Sequence, residues 1–143
     1  MHIRVSAQKA FTIFLKVAGM AMIANSAWMA LSAHHWFMNI PADLTATGTA
    51  NLHFIHDVAA AYFTFGVGLI WCSSNIEKAY PVYLGATLVM VAHGLSHVLE
   101  IITGQLPHSH WLIDLPLVFI PGFFMAILAW PTVWQKLTTP RAA

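Results

Sequence analysis

The sequence predicts an all-α integral membrane protein, an up-down bundle of four transmembrane helices with both chain termini in the cytoplasm. Three observations lead to this class. Of the 143 residues, 59% are hydrophobic and only 8% are charged, whereas a soluble domain carries about a quarter charged residues. Four apolar stretches each have the roughly 20 residues that cross a bilayer as a helix. The basic residues also gather on one side of those stretches, as cytoplasmic segments do.

The four predicted spans cover residues 11–31, 53–72, 81–103 and 111–134. A long connection over 32–52 joins the first two spans, and short connections join the others. Short connections favour antiparallel neighbours, which predicts the up-down order. The fourth span contains three prolines, and we expect kinks there because proline removes a helical hydrogen bond. No repeat or linker divides the chain, so all 143 residues form a single predicted domain.

The charge distribution predicts the orientation of this bundle. With a cytoplasmic N-terminus, all six lysines and arginines lie at the cytoplasmic ends of the spans. The same orientation places four of the five acidic residues and eight of the nine histidines in the opposite half. We therefore expect a multi-pass protein of the bacterial inner membrane, with its ionisable side chains concentrated in the periplasmic half.

Two polar stripes interrupt the second and third spans. Their six ionisable side chains are His53, His56 and Asp57 on the second span and His93, His97 and Glu100 on the third. Residues three or four apart share a helix face, and the two antiparallel spans place both sets at matching depth. We expect the two stripes to face each other. Ionisable residues within a span cost roughly 2.5–3.5 kcal/mol each on insertion scales and are usually functional.

These imidazoles and carboxylates predict a transition-metal site. Neutral imidazole together with carboxylate suits zinc, copper or iron, and the charge of the ion offsets that of the carboxylates. The pair His93 and His97 can present two nitrogens to one ion, and the remaining groups could hold a second ion about 3.5–4 Å away. A hydrogen-bonded network between helices and a proton path are open alternatives. It is also open whether five further residues join the site: His34, His35, His108, His110 and Asp114.

The stretches "NLHFIHD" and "HGLSH" carry a family resemblance. The chain resembles small uncharacterised bacterial four-span membrane proteins, in which an N-x-H-F-x-x-D entry to the second helix pairs with an H-x-x-x-H third helix. The matching residues are Asn51, His53, Phe54, Asp57, His93 and His97. His56 departs from the pattern, which has a basic residue such as arginine at that position. The resemblance implies the four-span architecture and the choice of site residues, and nothing about a substrate.

The predicted function is that of an integral membrane metal-binding protein with its site in the periplasmic half, suited to redox chemistry. One alternative is a b-type haem electron carrier with His53 or His56 and His97 as axial ligands, although the carboxylates suit a small cation better than a porphyrin. A periplasmic metal-capture protein and a non-catalytic accessory subunit also fit.

The expected partners are the lipid bilayer and either a second copy of the chain or a larger membrane complex. The few basic residues are scattered and give no sign of nucleic-acid binding. A single cysteine excludes a cysteine-based zinc or iron–sulfur site.

Overall fold

The computed structural model describes residues 2–138, with side chains from residue 7 onward, and this part of the chain is all-α. The elements, in order, are α1 (His2–Leu31), α2 (Ala33–Asn39), a 3₁₀ turn (Leu44–Thr47), α3 (Leu52–Ser74), α4 (Tyr80–Ile102), α5 (His110–Ile113), a π-helix (Leu115–Phe119), α6 (Ile120–Ala129) and α7 (Pro131–Thr138). In this part of the chain, three segments are long and apolar enough to cross a membrane, namely Ala7–Leu31, Leu52–Ser74 and Tyr80–Ile102. The predicted class, an all-α membrane bundle, is confirmed.

The fourth predicted span is broken. Leu115–Ala129 and Pro131–Thr138 qualify as a span only together, and the two segments are bent by 75° relative to each other. Proline lacks an N–H and disfavours helical backbone in the residue before it, and Trp130 accordingly has extended backbone, with ψ at 127°. The kink predicted for the span over 111–134 is therefore found at Pro131, where a short apolar helix is followed by a sharply bent terminal helix.

Two glycines bring α1 and α3 together over their middle turns. A Cβ atom on Gly19 would lie 2.7 Å from the backbone oxygen of Gly66, and one on Gly66 would lie 2.8 Å from the backbone oxygen of Gly19. No side chain fits at such distances, so glycine is required on both helices. Small residues of this kind allow close packing where lipid provides no hydrophobic driving force. Of all the helix pairs in the described structure, α1 and α3 pack most extensively.

One end of the bundle, called the lower end, contains the start of α1, the turn between α3 and α4, and α7. Phe11 packs edge-on against Tyr83 and Trp134, with ring centroids 5.8 and 5.5 Å apart. The Tyr80 hydroxyl donates a hydrogen bond to the carbonyl of Ala129 at 3.2 Å, which pairs a carbonyl that the end of α6 leaves open. The first and last described helices therefore meet at the same end of the bundle.

The opposite end, called the upper end, contains α2, the 3₁₀ turn and the start of α3. Most of the predicted 32–52 connection is ordered there, because Trp36 is buried and its Nε1 donates to Oδ1 of Asn25 at 2.9 Å. The Ser26 hydroxyl donates to the carbonyl of Ala59 at 2.7 Å, which joins α1 to α3. These contacts hold α2 against the top of the α1–α3 pair.

Candidate functional site

A cavity of about 550 Å³ opens in the upper half of the bundle. α1, α2 and α3 form one side of it, and α4 with the π-helix forms the other. Most of the lining is apolar, and its aromatic members are Trp36, Phe37, Phe54, Tyr62 and Phe65. This volume lies within the range of roughly 300–1,000 Å³ that is typical of small-molecule sites.

α4 supplies the ionisable side chains of this cavity. His93, His97 and Glu100 all line it, at the spacing that places them along one helix face. The imidazole rings of His93 and His97 are in contact, with centroids 4.6 Å apart and planes at 77°. No other histidine or carboxylate from the described residues lines the cavity, so its charge is confined to one wall. The three site residues predicted on the third span therefore lie together on one wall of the cavity.

Asp114 lies directly behind this wall and is fully buried. One of its oxygens, Oδ2, lies 2.8 Å from Nδ1 of His97 and 3.1 Å from Nδ1 of His110. Opposite an ionised carboxylate, which can only accept hydrogen bonds, each imidazole would donate through Nδ1–H. Charge-assisted bonds of this kind are about twice as strong as neutral ones, and here they offset the cost of burying the carboxylate.

The local backbone explains how Asp114 reaches α4. His110 and Asp114 are four residues apart in one helical turn, and the amide of Asp114 donates to the carbonyl of His110 at 3.0 Å. The helix then widens, because the carbonyl of Asp114 accepts from the amides of both Val118 and Phe119, at 2.8 and 3.2 Å. A π-turn of this kind is rare and occurs frequently at functional sites.

Two atoms of this buried group have no hydrogen-bond partner among the described residues: Oδ1 of Asp114 and Nε2 of His110. Buried polar groups are nearly always paired, by protein or by ordered water. We call His97, Asp114 and His110 the buried triad.

The structure places the second-span stripe elsewhere. The side chains of His53 and Asp57 are 88% and 64% exposed, with His53 Nε2 lying 3.6 Å from Asp57 Oδ2. His56 is exposed as well, and none of the three lines the cavity. The predicted facing of the two stripes is therefore not found. The cause is the packing of α3, which buries the face of Ala59 and Gly66 against α1 and turns the polar stripe away from α4.

This separation affects the ligand sets predicted for a metal or a haem. In the part of the chain that the structure describes, no group of three or more histidine, cysteine, aspartate or glutamate side chains is arranged to hold a metal ion. The predicted haem pairs, His53 or His56 with His97, do not meet across the cavity, because only His97 lines it. Metal ligation by the six predicted residues stays a prediction.

The five additional candidates divide into two groups. His34, His35 and His108 are exposed and do not line the cavity, and Nδ1 of His35 accepts a hydrogen bond from Trp28 at 3.0 Å. His110 and Asp114 belong to the buried triad. Their four-residue spacing matches that of His53 and Asp57, so this pair carries the same sequence signal as the stripes, although its partner on α4 is visible only in the fold.

The comparisons with known proteins identify no family: no protein-family model, no curated protein and no solved structure matches the chain. The resemblance to small bacterial four-span proteins therefore stays an expectation.

Proposed function

We propose that this chain is an integral membrane protein that binds a small lipid-soluble molecule in the upper cavity, with the polar end of the ligand at His93, His97 and Glu100. One observation carries the proposal: the wall is mostly apolar and aromatic, and its histidine and carboxylate side chains are gathered on α4. Such a wall, with a few convergent polar groups, is typical of small-molecule sites.

The depth of the cavity fits a ligand with one polar and one apolar end. Its α4 lining runs from Val89 to Glu100, which is roughly 16 Å at 1.5 Å per residue. Glu100 lies near the top of α4, whereas Phe65 lies near the middle of α3. A polar head near the membrane surface and a tail that reaches toward the bilayer midplane would match this gradient.

The basic residues support an orientation for this site. All the described lysines, Lys9, Lys16, Lys78 and Lys136, lie in the lower half of the bundle. The positive-inside rule then assigns the lower end to the cytoplasm and the cavity to the outer half. We propose the inner membrane of a bacterium as the location, with the ligand held in the periplasmic half.

Binding of 4-nonylphenol to the protein in lipid nanodiscs, followed by tryptophan fluorescence, tests the proposal. Trp36 lines the cavity and would report the ligand. Ala61→Trp fills the cavity, because Ala61 lines it, and Ala60→Trp is the matched control on an exposed face of the same helix. We expect saturable binding that Ala61→Trp weakens by about tenfold or more and Ala60→Trp leaves intact. Equal binding by both variants would refute a site in this cavity.

A transition-metal site at the same wall is the second candidate, and a specific observation favours it. His97 hydrogen-bonds through Nδ1 to a buried carboxylate, as metal-binding histidines commonly do, and this leaves Nε2 as the ligand atom. His93 touches the His97 ring and could supply a second nitrogen, with Glu100 as a carboxylate ligand. Zinc, copper or iron would suit this donor set.

Elemental analysis of the purified protein tests the metal candidate. We expect a stoichiometric metal in the wild type that is lost in the His93→Ala/His97→Ala variant. The matched control is His53→Ala/His56→Ala, which removes two histidines from the exposed stripe on α3. If the control loses the metal and the α4 variant keeps it, the site belongs to α3 and this candidate is wrong.

A further inference from the structure

We infer that the cavity selects ligands whose polar end donates a hydrogen bond, such as a phenol or an alcohol, over ligands that can only accept one, such as an ether or a ketone. The inference rests on the proposed function and deepens it, because it names the chemical class of the ligand. It follows from the way in which the buried triad sets the proton position on His97.

The contact with Asp114 sets the tautomer of His97. A neutral imidazole carries one proton, and Nδ1 of His97 lies 2.8 Å from Oδ2 of Asp114. An ionised carboxylate can only accept at this distance, which assigns the ring proton to Nδ1 as the donor. The other ring nitrogen, Nε2, therefore keeps its lone pair and acts as an acceptor. His97 lines the cavity, so the acceptor belongs to the wall that the ligand meets.

The burial of Asp114 holds His97 in the tautomer with the proton on Nδ1. The carboxylate is fully buried, and within the described structure its side-chain partners are the imidazoles of His97 and His110, with no lysine or arginine in salt-bridge contact. Both imidazole N–H groups are needed to stabilise that charge. Reversing the His97 tautomer would direct a lone pair at the carboxylate, which a buried anion in an apolar bundle cannot compensate.

The other polar groups of the cavity lie on α4 and across from it on or near α3. On α4, Glu100 is an acceptor when ionised, and His93 lies against the His97 ring. The Ser96 hydroxyl on α4 donates to the carbonyl of His93 at 2.7 Å. The hydroxyl of Tyr62 and the side chains of Thr47, Thr49 and Asn51 lie on or just before α3, away from His97, while α1 and α2 contribute no acidic, basic or histidine side chain. The wall at His97 and Glu100 is therefore rich in lone pairs. A ligand hydroxyl would satisfy one of them, whereas an ether oxygen would leave it unpaired.

The test compares two probes that differ by one methyl group, 4-nonylphenol and 4-nonylanisole, on the protein in lipid nanodiscs. We expect the phenol to bind at least about tenfold more tightly, because the ether leaves a buried acceptor unpaired. Asp114→Asn should reduce or reverse this preference, because an amide can donate to Nδ1 of His97 and move the ring proton to Nε2. Asp57→Asn is the matched control, since Asp57 pairs with a histidine four residues away on an exposed face.

Nitrogen-15 NMR of histidine-labelled protein gives a readout that needs no ligand. We expect the His97 signal, assigned with His97→Gln, to show a protonated Nδ1 in the wild type. A protonated Nε2 would overturn the inference, whatever the binding data and whether or not Asp114→Asn folds. Equal affinity for the two probes would also overturn it and would leave the proposed function standing. Failure of both probes to bind would refute the proposed function and the inference together.

Discussion

The backbones of Gly19 in α1 and Gly66 in α3 meet so closely that a single methyl group on either residue would come within 2.8 Å of the other's carbonyl oxygen. This contact fixes the rotation of α3 about its own axis. The face opposite α1 then carries His53 and Asp57, and an adjacent face lines the cavity through Phe54 and Tyr62. The position of the candidate site therefore depends on two glycines, which have no side chain to contribute to it.

Gly66→Ala should destabilise the protein by about 1–3 kcal/mol, the usual cost of adding a methyl group to a packed contact. Gly85→Ala is the control, because a Cβ on Gly85 meets nothing within 4 Å and alanine favours helix. Unfolding of the detergent-solubilised variants in sodium dodecyl sulfate measures both effects. A Gly66 variant as stable as the Gly85 variant would show that α1 and α3 are not in contact there.

Trp134→Ala should cost about 3–5 kcal/mol of stability, as truncation of a buried aromatic side chain does. Trp134 is buried at the lower end and packs against the rings of Phe11, Tyr80 and Tyr83. Trp130→Ala removes the same side chain at a position that is 66% exposed, and we expect little change. Thermal denaturation in detergent compares the two. If Trp134→Ala loses as little stability as Trp130→Ala, α7 does not pack against the bundle.

His97 and Asp114 should be energetically coupled. A double-mutant cycle with His97→Ala and Asp114→Ala should give about 0.5–3 kcal/mol of coupling, because the two side chains share a buried hydrogen bond. A parallel cycle on His53 and Asp57 should give no measurable coupling, since water competes at that exposed pair. Comparable coupling in both cycles would contradict the burial of the triad.

Cysteine labelling should place the two ends of the bundle on opposite sides of the membrane. In a Cys72→Ala background, His108→Cys at the upper end should react with a membrane-impermeant maleimide added outside intact cells. Lys78→Cys at the lower end should react only after the membrane is permeabilised. Both positions are exposed in the structure, so access is set by the membrane. The reverse pattern would invert the proposed orientation.

The first three spans were predictable within a few residues. The helices Leu52–Ser74 and Tyr80–Ile102 match the predicted 53–72 and 81–103 because span length depends on hydrophobicity alone. The course of the fourth span was less predictable. Proline predicted kinks, but the 75° bend also depends on the contacts that hold Trp134 against the lower end.

The candidate site was predictable in part. Periodicity correctly grouped His93, His97 and Glu100 on one face, because residues three and four apart always share a helix face. Periodicity could not predict which face of α3 lies against the rest of the bundle. Apolar residues surround that helix on nearly every side, so a lipid-facing and a protein-facing surface look alike in sequence.

By itself, the sequence determined the membrane class, the approximate extent of the first three spans and which ionisable residues share a face, since these properties follow from local composition and spacing. Only the tertiary structure decided that His53, His56 and Asp57 face away from the cavity and that Asp114 joins His97 to His110. The reason is physical. The rotation of α3 against α1 is set by close packing between Gly19 and Gly66. The hydrogen bond between His97 and Asp114 spans 17 residues and forms only where α4 packs against the π-helix and α6.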